Sequence, residues 1–340
     1  MSVTEETART ILVFGATGAM GRPVISHLLA DKDNNWRIRA FTRNPESSHA
    51  QQLLAMGVDG NRVELFKGDI NDPASVAAAM ESVYGVFCNT NFWESCTVSA
   101  EREQGLRALE AARTAGVQHF VYSSLDSCVT LSHGRIPVPH FDSKAAVEHE
   151  INWRRSEEFM HQEADGWYSR HVTVLVTLPY IENVKQFAVP ECGRLSDGRE
   201  GVIFKLPMAD APWPMVALDD IAFFTTHVFA HSEEWGGRTL PIGSESLTFA
   251  EIAATLERVT GVPAEYRPMT LEEYTALGIS NVHDVINLLQ FLIEYGLLRD
   301  YESLRKIHPD LMTFEKWLRK TGWRGEPGEV QKNAMTGGKK

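Results

Sequence analysis

From Thr10 to about Thr177 short runs of β-branched and aromatic residues alternate with helix-period patterns. That alternation is the signature of right-handed βαβ units on a parallel sheet. Strands are predicted at residues 11–14, 37–42, 63–66, 85–89, 119–122 and 172–177, most of them continuously apolar, as strands covered by helices on both faces must be. Between them, residues 24–29 open a helix, and residues 99–115 form a longer one with Leu106, Leu109 and Ala112 on one face. The predicted fold class is therefore α/β: a Rossmann-type, doubly wound parallel sheet.

After Pro179 the pattern changes to a strand at residues 202–206 and helices near 219–230, 248–259, 282–295 and 313–320. This predicts a division into a polar N-terminus at 1–9, a nucleotide-binding part at 10–178 and a smaller mixed C-terminal substrate or partner region at 179–324. The latter is expected to interweave with the sheet edge, and the Gly- and Lys-rich residues 325–340 to form a loose tail.

Composition narrows the function classes. The chain has 340 residues, 43% hydrophobic, enough for a core that needs no staples, and its net charge of -12 opposes direct binding to nucleic-acid backbones. Residues 1–9 are polar and acidic, unlike a signal or transit peptide, and no transmembrane stretch is visible, so a cytoplasmic protein is expected, nuclear if regulatory. Cys88, Cys96, Cys128 and Cys192 lack metal-ligand or redox-pair spacing and are read as small apolar residues.

Gly15-Ala16-Thr17-Gly18-Ala19-Met20-Gly21 follows a strand and opens a helix, the context a phosphate-binding glycine loop requires. The second strand ends Thr42-Arg43-Asn44, with no carboxylate for a ribose 2′-hydroxyl. Arg43 instead offers a grip on a 2′-phosphate, which favours NADP(H) over NAD(H). Asp69 and Ile70 end the third strand and are placed to meet the adenine; Asn89, Thr90 and Asn91 end the fourth, along the cofactor's middle.

With the glycine loop, the motifs Thr42-Arg-Asn-Pro45, Lys67-Gly-Asp-Ile70, Thr90-Asn-Phe-Trp-Glu-Ser-Cys96, His119-Phe-Val-Tyr-Ser-Ser124, His140-Phe-Asp-Ser-Lys144 and Leu178-Pro-Tyr-Ile-Glu-Asn183 carry a resemblance. The chain resembles the NmrA-like family, a branch of the atypical short-chain dehydrogenase/reductases, and within it the HSCARG-type NADPH-sensing members. The resemblance implies that the loop from Thr17 to Arg22, with Arg43, holds the phosphates and that Asp69 and Ile70 flank the adenine. It also implies that Asn89 to Asn91 and Lys144 line the nicotinamide ribose and that Pro179, Tyr180 and Asn183 close over the nicotinamide. Active members of the wider superfamily usually carry a Tyr four residues before the Lys. Here that register holds His140, so the usual phenolic acid is missing, and Lys144 and His140 become the candidate catalytic residues.

Trp93, Ser124, Asp126 and Tyr180 are the candidate substrate-pocket residues, and Phe92, Trp213, Met215 and Phe291 suit a pocket or a core equally. His133 reaches the cleft only if its loop does, and His119, inside a strand, reads as structural. His227 and His231 are four apart on a predicted helix but lack a third ligand, so no metal site is expected. Residues 152–169 are longer than the family pattern and hold Trp153, Trp167 and Tyr168, as an extended surface helix and loop or as an added wall near the cofactor. Two functions follow: an NADP(H)-dependent enzyme acting on a small carbonyl, enone or imine, with a non-redox reaction as a variant, or alternatively a non-catalytic NADPH/NADP sensor that regulates a protein partner such as a transcription factor.

Overall fold

The computed structural model describes residues 8–57, 61–163 and 166–330. Strands β1 (Thr10–Val13), β2 (Arg37–Thr42), β3 (Val63–Lys67), β4 (Gly85–Cys88), β5 (His119–Ser124) and β6 (Val172–Val176) pair in parallel in the order 3-2-1-4-5-6. The chain order reverses between β1 and β4, and at such a switch point the carboxyl ends of the strands leave a crevice for a ligand.

Alternate side chains of the strands feed two cores, one on each face of the sheet. Ile11 and Val13 join Phe87, Val121 and Leu175 on one side. Leu12 and Phe14 join Val86, Phe120 and Val174 on the other. The first core runs on without a break into Phe204, Trp213, Phe249, Phe291 and Trp317, so the C-terminal region shares apolar burial with one sheet face.

Four of the next six strands, β7 (Glu191–Arg194), β8 (Glu200–Phe204), β9 (Trp213–Met215) and β11 (Glu245–Leu247), form two small sheets, β12 (Ala264–Tyr266) completing the one around β8. The remaining strand, β10 (Thr239–Pro241), adds in parallel to β6 as the seventh strand of the main sheet. The helix Phe249–Thr260 begins with a capping box of Thr248 and Glu251 and stops at Gly261, which has φ 73°.

Several expectations are revised. The buried stripe of the helix Val98–Thr114 is Glu101, Gln104, Gly105, Ala108, Leu109 and Ala112, while Leu106 is only half-buried. Within 152–169 the helix Pro139–Met160 continues, and Trp167 donates to the Val117 carbonyl at 2.8 Å. Glu158 accepts from the backbone N–H of Tyr168 and of Ser169, each at 2.8 Å. These contacts place the stretch by the amino ends of β5 and β6, at the opposite end of the sheet from the crevice, so it is a surface extension and not a cofactor wall. Residues 325–330, expected in a tail, lie against the turn Ile181–Lys185, with Gly328 N–H donating to Lys185 O at 3.0 Å and Val330 N–H to the Gln186 side chain at 2.9 Å. The rest of that tail, 331–340, lies outside the described residues, as do 1–7 of the polar N-terminus. Among the described residues no helix is long and apolar enough to cross a membrane.

Candidate functional site

The glycine loop leaves β1 at Gly15, whose φ of +71° is a left-handed backbone and where a Cβ would stand 2.9 Å from the Asn89 carbonyl oxygen. The Gly18 N–H closes the turn on Gly15 O at 2.9 Å. Gly21 starts the helix Gly21–Ala30, and a Cβ there would fall 2.2 Å from Gly15 O. No side chain caps the helix at Met20, so its start is open to an anion, which its dipole favours. Thr17 and Ala19 flank the turn, half-buried.

Arg43, directly after β2, has a guanidinium 62% exposed and ion-paired with Glu94 of the short helix Phe92–Ser95. After β3, Asp69 accepts from the Asn71 N–H at 2.9 Å, and the Ile70 carbonyl accepts from Arg107 at 2.9 Å. The ends of β1 to β4 thus present the loop, Arg43, Asp69–Ile70 and Asn89–Asn91 along one edge, with Thr90 buried and Asn91 exposed.

Lys144 and His140 both project from the first turns of the helix Pro139–Met160. Its start is held by Pro139 at the first position and by Asp142, which accepts from Val138 N–H at 2.7 Å and Val129 N–H at 3.0 Å. The Lys144 ammonium donates to Asn89 Oδ1 at 3.1 Å, Thr90 O at 2.9 Å and Thr90 Oγ1 at 3.0 Å, and pairs with Glu101 at 3.2 Å. Glu101 is fully buried and also accepts from Thr90 Oγ1 at 2.8 Å and from the Ser143 hydroxyl. An ammonium has three N–H groups, so every one of them is spent on fixing the end of β4.

Beyond Lys144 a cavity opens, with about 600 Å³ of empty space, part of it open to solvent. Met20, Asn89, Lys144, Pro179, Tyr180 and Asn183 wall the side nearest the glycine loop, and Trp93, His140 and Phe141 another. Leu178, Phe187, Trp213, Val285, Leu288 and Leu289 make the far side apolar. Burial pushes the Tyr180 hydroxyl far above its ordinary range, so it is a neutral phenol. Asn183 Oδ1 and Trp213 Nε1 are buried with no hydrogen-bond partner among the described residues. A buried polar atom left alone costs free energy, and a carboxamide is a ligand group that would satisfy Asn183. The loop, the uncapped helix start and this orphaned oxygen all fit a nicotinamide dinucleotide.

His140 stands in an aromatic surround, its ring 4.9 Å from Trp93 and 4.8 Å from Phe141. Its Nδ1 lies in close contact with Asp284 Oδ2, both atoms buried and neither hydrogen-bonded among the described residues, while Asp284 Oδ1 accepts from the His140 backbone N–H at 3.0 Å.

Other expected residues lie elsewhere. Ser123, not Ser124, reaches the cavity; the Ser124 hydroxyl donates to Glu148 at 2.8 Å. Asp126 is off the cavity wall, locked by Arg299 at 2.6 Å. His133 is exposed on a turn, Met215 and Phe291 are in the core, and His227 and His231 lie against each other with ring centroids 4.3 Å apart. Among the described residues no group of three metal-ligating side chains lies together. Cys88 and Cys128 are buried, and burial pushes the Cys88 thiol up to about 12. The residues that the sequence left unmarked are Glu101 and Asp284. Glu101 had a signal, since it lies four residues before Gly105 on the stripe that continues through Ala108, Leu109 and Ala112; Asp284 had none.

Comparison with known proteins agrees with the architecture. An NmrA-like family domain-containing oxidoreductase of Aspergillus hancockii is 28% identical over 288 residues, 82% of this chain and 81% of that protein. The structure of NmrA, a negative transcriptional regulator, in complex with NADP superposes with a TM-score of 0.69 at 19% identity over 93% of this chain and 96% of that one. The NADPH-dependent quinone oxidoreductase of Escherichia coli, complexed with NADPH, gives 0.68 at 21% identity over 92% and 100%. The profile of the NmrA-like family matches residues 7–318. The chain belongs to the NmrA-like family.

Proposed function

We propose that this protein is an NADP(H)-dependent oxidoreductase that reduces a small, largely apolar carbonyl, enone or imine compound. The observation that carries it is a single apolar cavity whose wall holds Lys144, the orphaned Asn183 oxygen and the His140 ring together, next to the glycine loop. The oxidoreductase relatives and the NADPH-bound quinone reductase support the same direction.

In this proposal Gly15 to Gly21 seat the diphosphate, Arg43 the 2′-phosphate, and Asp69 and Ile70 flank the adenine. Asn89, Thr90, Asn91 and Lys144 line the nicotinamide ribose, and Pro179, Tyr180 and Asn183 cover the nicotinamide. When bound, the cofactor supplies the hydride. Lys144, with its N–H groups engaged, holds a fixed positive charge and the end of β4, and is not the proton donor. Burial holds the Tyr180 phenol neutral, so of the titratable side chains on the cavity wall His140 is the one assigned to deliver the proton. The apolar far wall selects the substrate by burial and keeps water away.

The test incubates the protein with NADPH and a panel of quinones, enones, aldehydes and imines, following absorbance and isolating products, with His140→Gln and Lys144→Met alongside. Product formed by the native chain and lost in His140→Gln is expected. No product from any member of the panel overturns the proposal.

The second reading, a nucleotide sensor, is favoured by the Arg43–Glu94 pair. A 2′-phosphate that takes Arg43 from Glu94 would release the helix that carries Trp93, whose ring lies tilted 4.9 Å from that of His140. Absence of turnover together with nucleotide-dependent partner binding would select it.

A further inference from the structure

We propose that Asp284 is the positioning residue of a proton-handling pair: it fixes the ring and tautomer of His140 so that Nε2 faces the reacting substrate. The inference rests on the oxidoreductase proposal and adds the group that governs its proton step. Asp284 is buried, 7% exposed, in the first turn of the helix Val282–Glu294. One carboxylate oxygen accepts the His140 backbone N–H at 3.0 Å and the other meets Nδ1. The backbone bond holds the residue in place, and the close approach of Oδ2 to Nδ1, two buried atoms with no other hydrogen-bond partner among the described residues, is the contact that would orient the ring.

The rest of the surroundings leave Nδ1 no competing partner. Trp93, Phe92 and Phe141 enclose the ring with centroids 4.9, 6.1 and 4.8 Å away. The other charged or titratable groups nearby are engaged or neutral. Lys144, one turn along the helix, is paired with Glu101; Asp142 accepts from Val129 and Val138; burial and nearby carboxylates keep the Cys128 thiol protonated; and burial raises the Cys96 thiol, which has Asp284 beside it. A carboxylate on Nδ1 makes that nitrogen the N–H donor in the neutral ring and leaves Nε2 as the one that gains and gives a proton. Nε2 has no hydrogen-bond partner among the described residues, and His140 lines the cavity.

The step balances. A bound NADPH would supply the hydride to the substrate carbon of a C=O, C=C–C=O or C=N group, becoming NADP⁺, with the π pair moving to the terminal heteroatom. Protonated His140 would give that atom its Nε2 proton, be left neutral with the proton on Nδ1 facing Asp284, and take a new proton from solvent. The helix that carries Asp284 also supplies Val285, Leu288 and Leu289 to the far wall, so one element shapes the substrate site and orients the acid.

The test reads the imidazole directly by ¹H–¹⁵N NMR of the full chain with labelled histidine, the His140 signals being assigned by their loss in His140→Gln. In the native chain the neutral ring is expected as the Nδ1–H tautomer. In Asp284→Asn it is expected to switch to Nε2–H, and kcat with a substrate from the panel to fall roughly 10²- to 10⁴-fold with little change in NADPH affinity. Asp284→Glu should restore part of the tautomer and of kcat. An Nε2–H tautomer in the native chain, or a tautomer unmoved in Asp284→Asn, overturns the pair. If that happens while NADPH-dependent turnover persists, the oxidoreductase proposal stands without the pair; the expected tautomer with no turnover on any compound removes the oxidoreductase proposal instead.

Discussion

Glu94 is ion-paired with Arg43, the residue expected to grip the 2′-phosphate, across the gap between the ends of β4 and β2. The guanidinium thus has an anionic partner within the chain, with which a 2′-phosphate would compete. Glu94→Gln removes that competition and should tighten NADPH binding by about two- to fivefold, the scale of an exposed ion pair. Arg43→Ala should weaken NADPH binding by roughly 10- to 100-fold while leaving NADH nearly unchanged. Calorimetric titration of the two variants with both nucleotides checks the pair of outcomes.

Glu101 anchors Lys144, Thr90 and Ser143 from a fully buried position. Removing one member of a buried charge pair leaves the other uncompensated, so Glu101→Ala should cost about 3–5 kcal/mol of folding stability. Urea unfolding followed by circular dichroism measures it, and a loss below ~1 kcal/mol would show that Lys144 finds solvent or another partner.

His119 is buried in β5 with Nε2 2.7 Å from the Thr173 hydroxyl, and burial pushes its pKa down to about 3. Between that value and the unfolded value of about 6.5, the unfolded chain binds a proton that the folded chain refuses. The contribution of His119 is thus complete above pH ~6.5 and declines as the pH falls, by at most about 1.4 kcal/mol per pH unit. The difference in stability between the native chain and His119→Gln should shrink accordingly as the pH drops from 7 to 4; a difference constant with pH would contradict it.

Leu288 lies on the far wall of the cavity at 6% exposure. Leu288→Trp fills space meant for substrate and should lower kcat/KM by about tenfold or more, with NADPH affinity retained. Equal losses in both would place Leu288 in the nucleotide site.

The cofactor edge was legible because its signals are local: a glycine loop between a strand and a helix, and an Arg at the end of the next strand. The surroundings of His140 and Asp126 were less so because their partners are far apart in the chain. Asp284 lies 144 residues from His140, and Arg299 lies 173 from Asp126. Ser123 reaches the cavity where the sequence suggests Ser124, because every residue of β5 is buried and hydrophobicity does not reveal which face points to the cavity. Glu101 was readable in principle, as a carboxylate on the buried stripe of an amphipathic helix, where a charge persists only with a partner. The wall of Trp213 and Leu289 arises from packing of the C-terminal region, which no local pattern encodes.

Hydride transfer itself is tested most directly by a single turnover with NADPH deuterated at the nicotinamide C4 and the best substrate of the panel, the product being weighed by mass spectrometry. A product carrying deuterium on the reduced carbon, formed by the native chain and strongly diminished in His140→Gln, is predicted. Bound NADPH that transfers no deuterium to any compound of the panel would contradict the account.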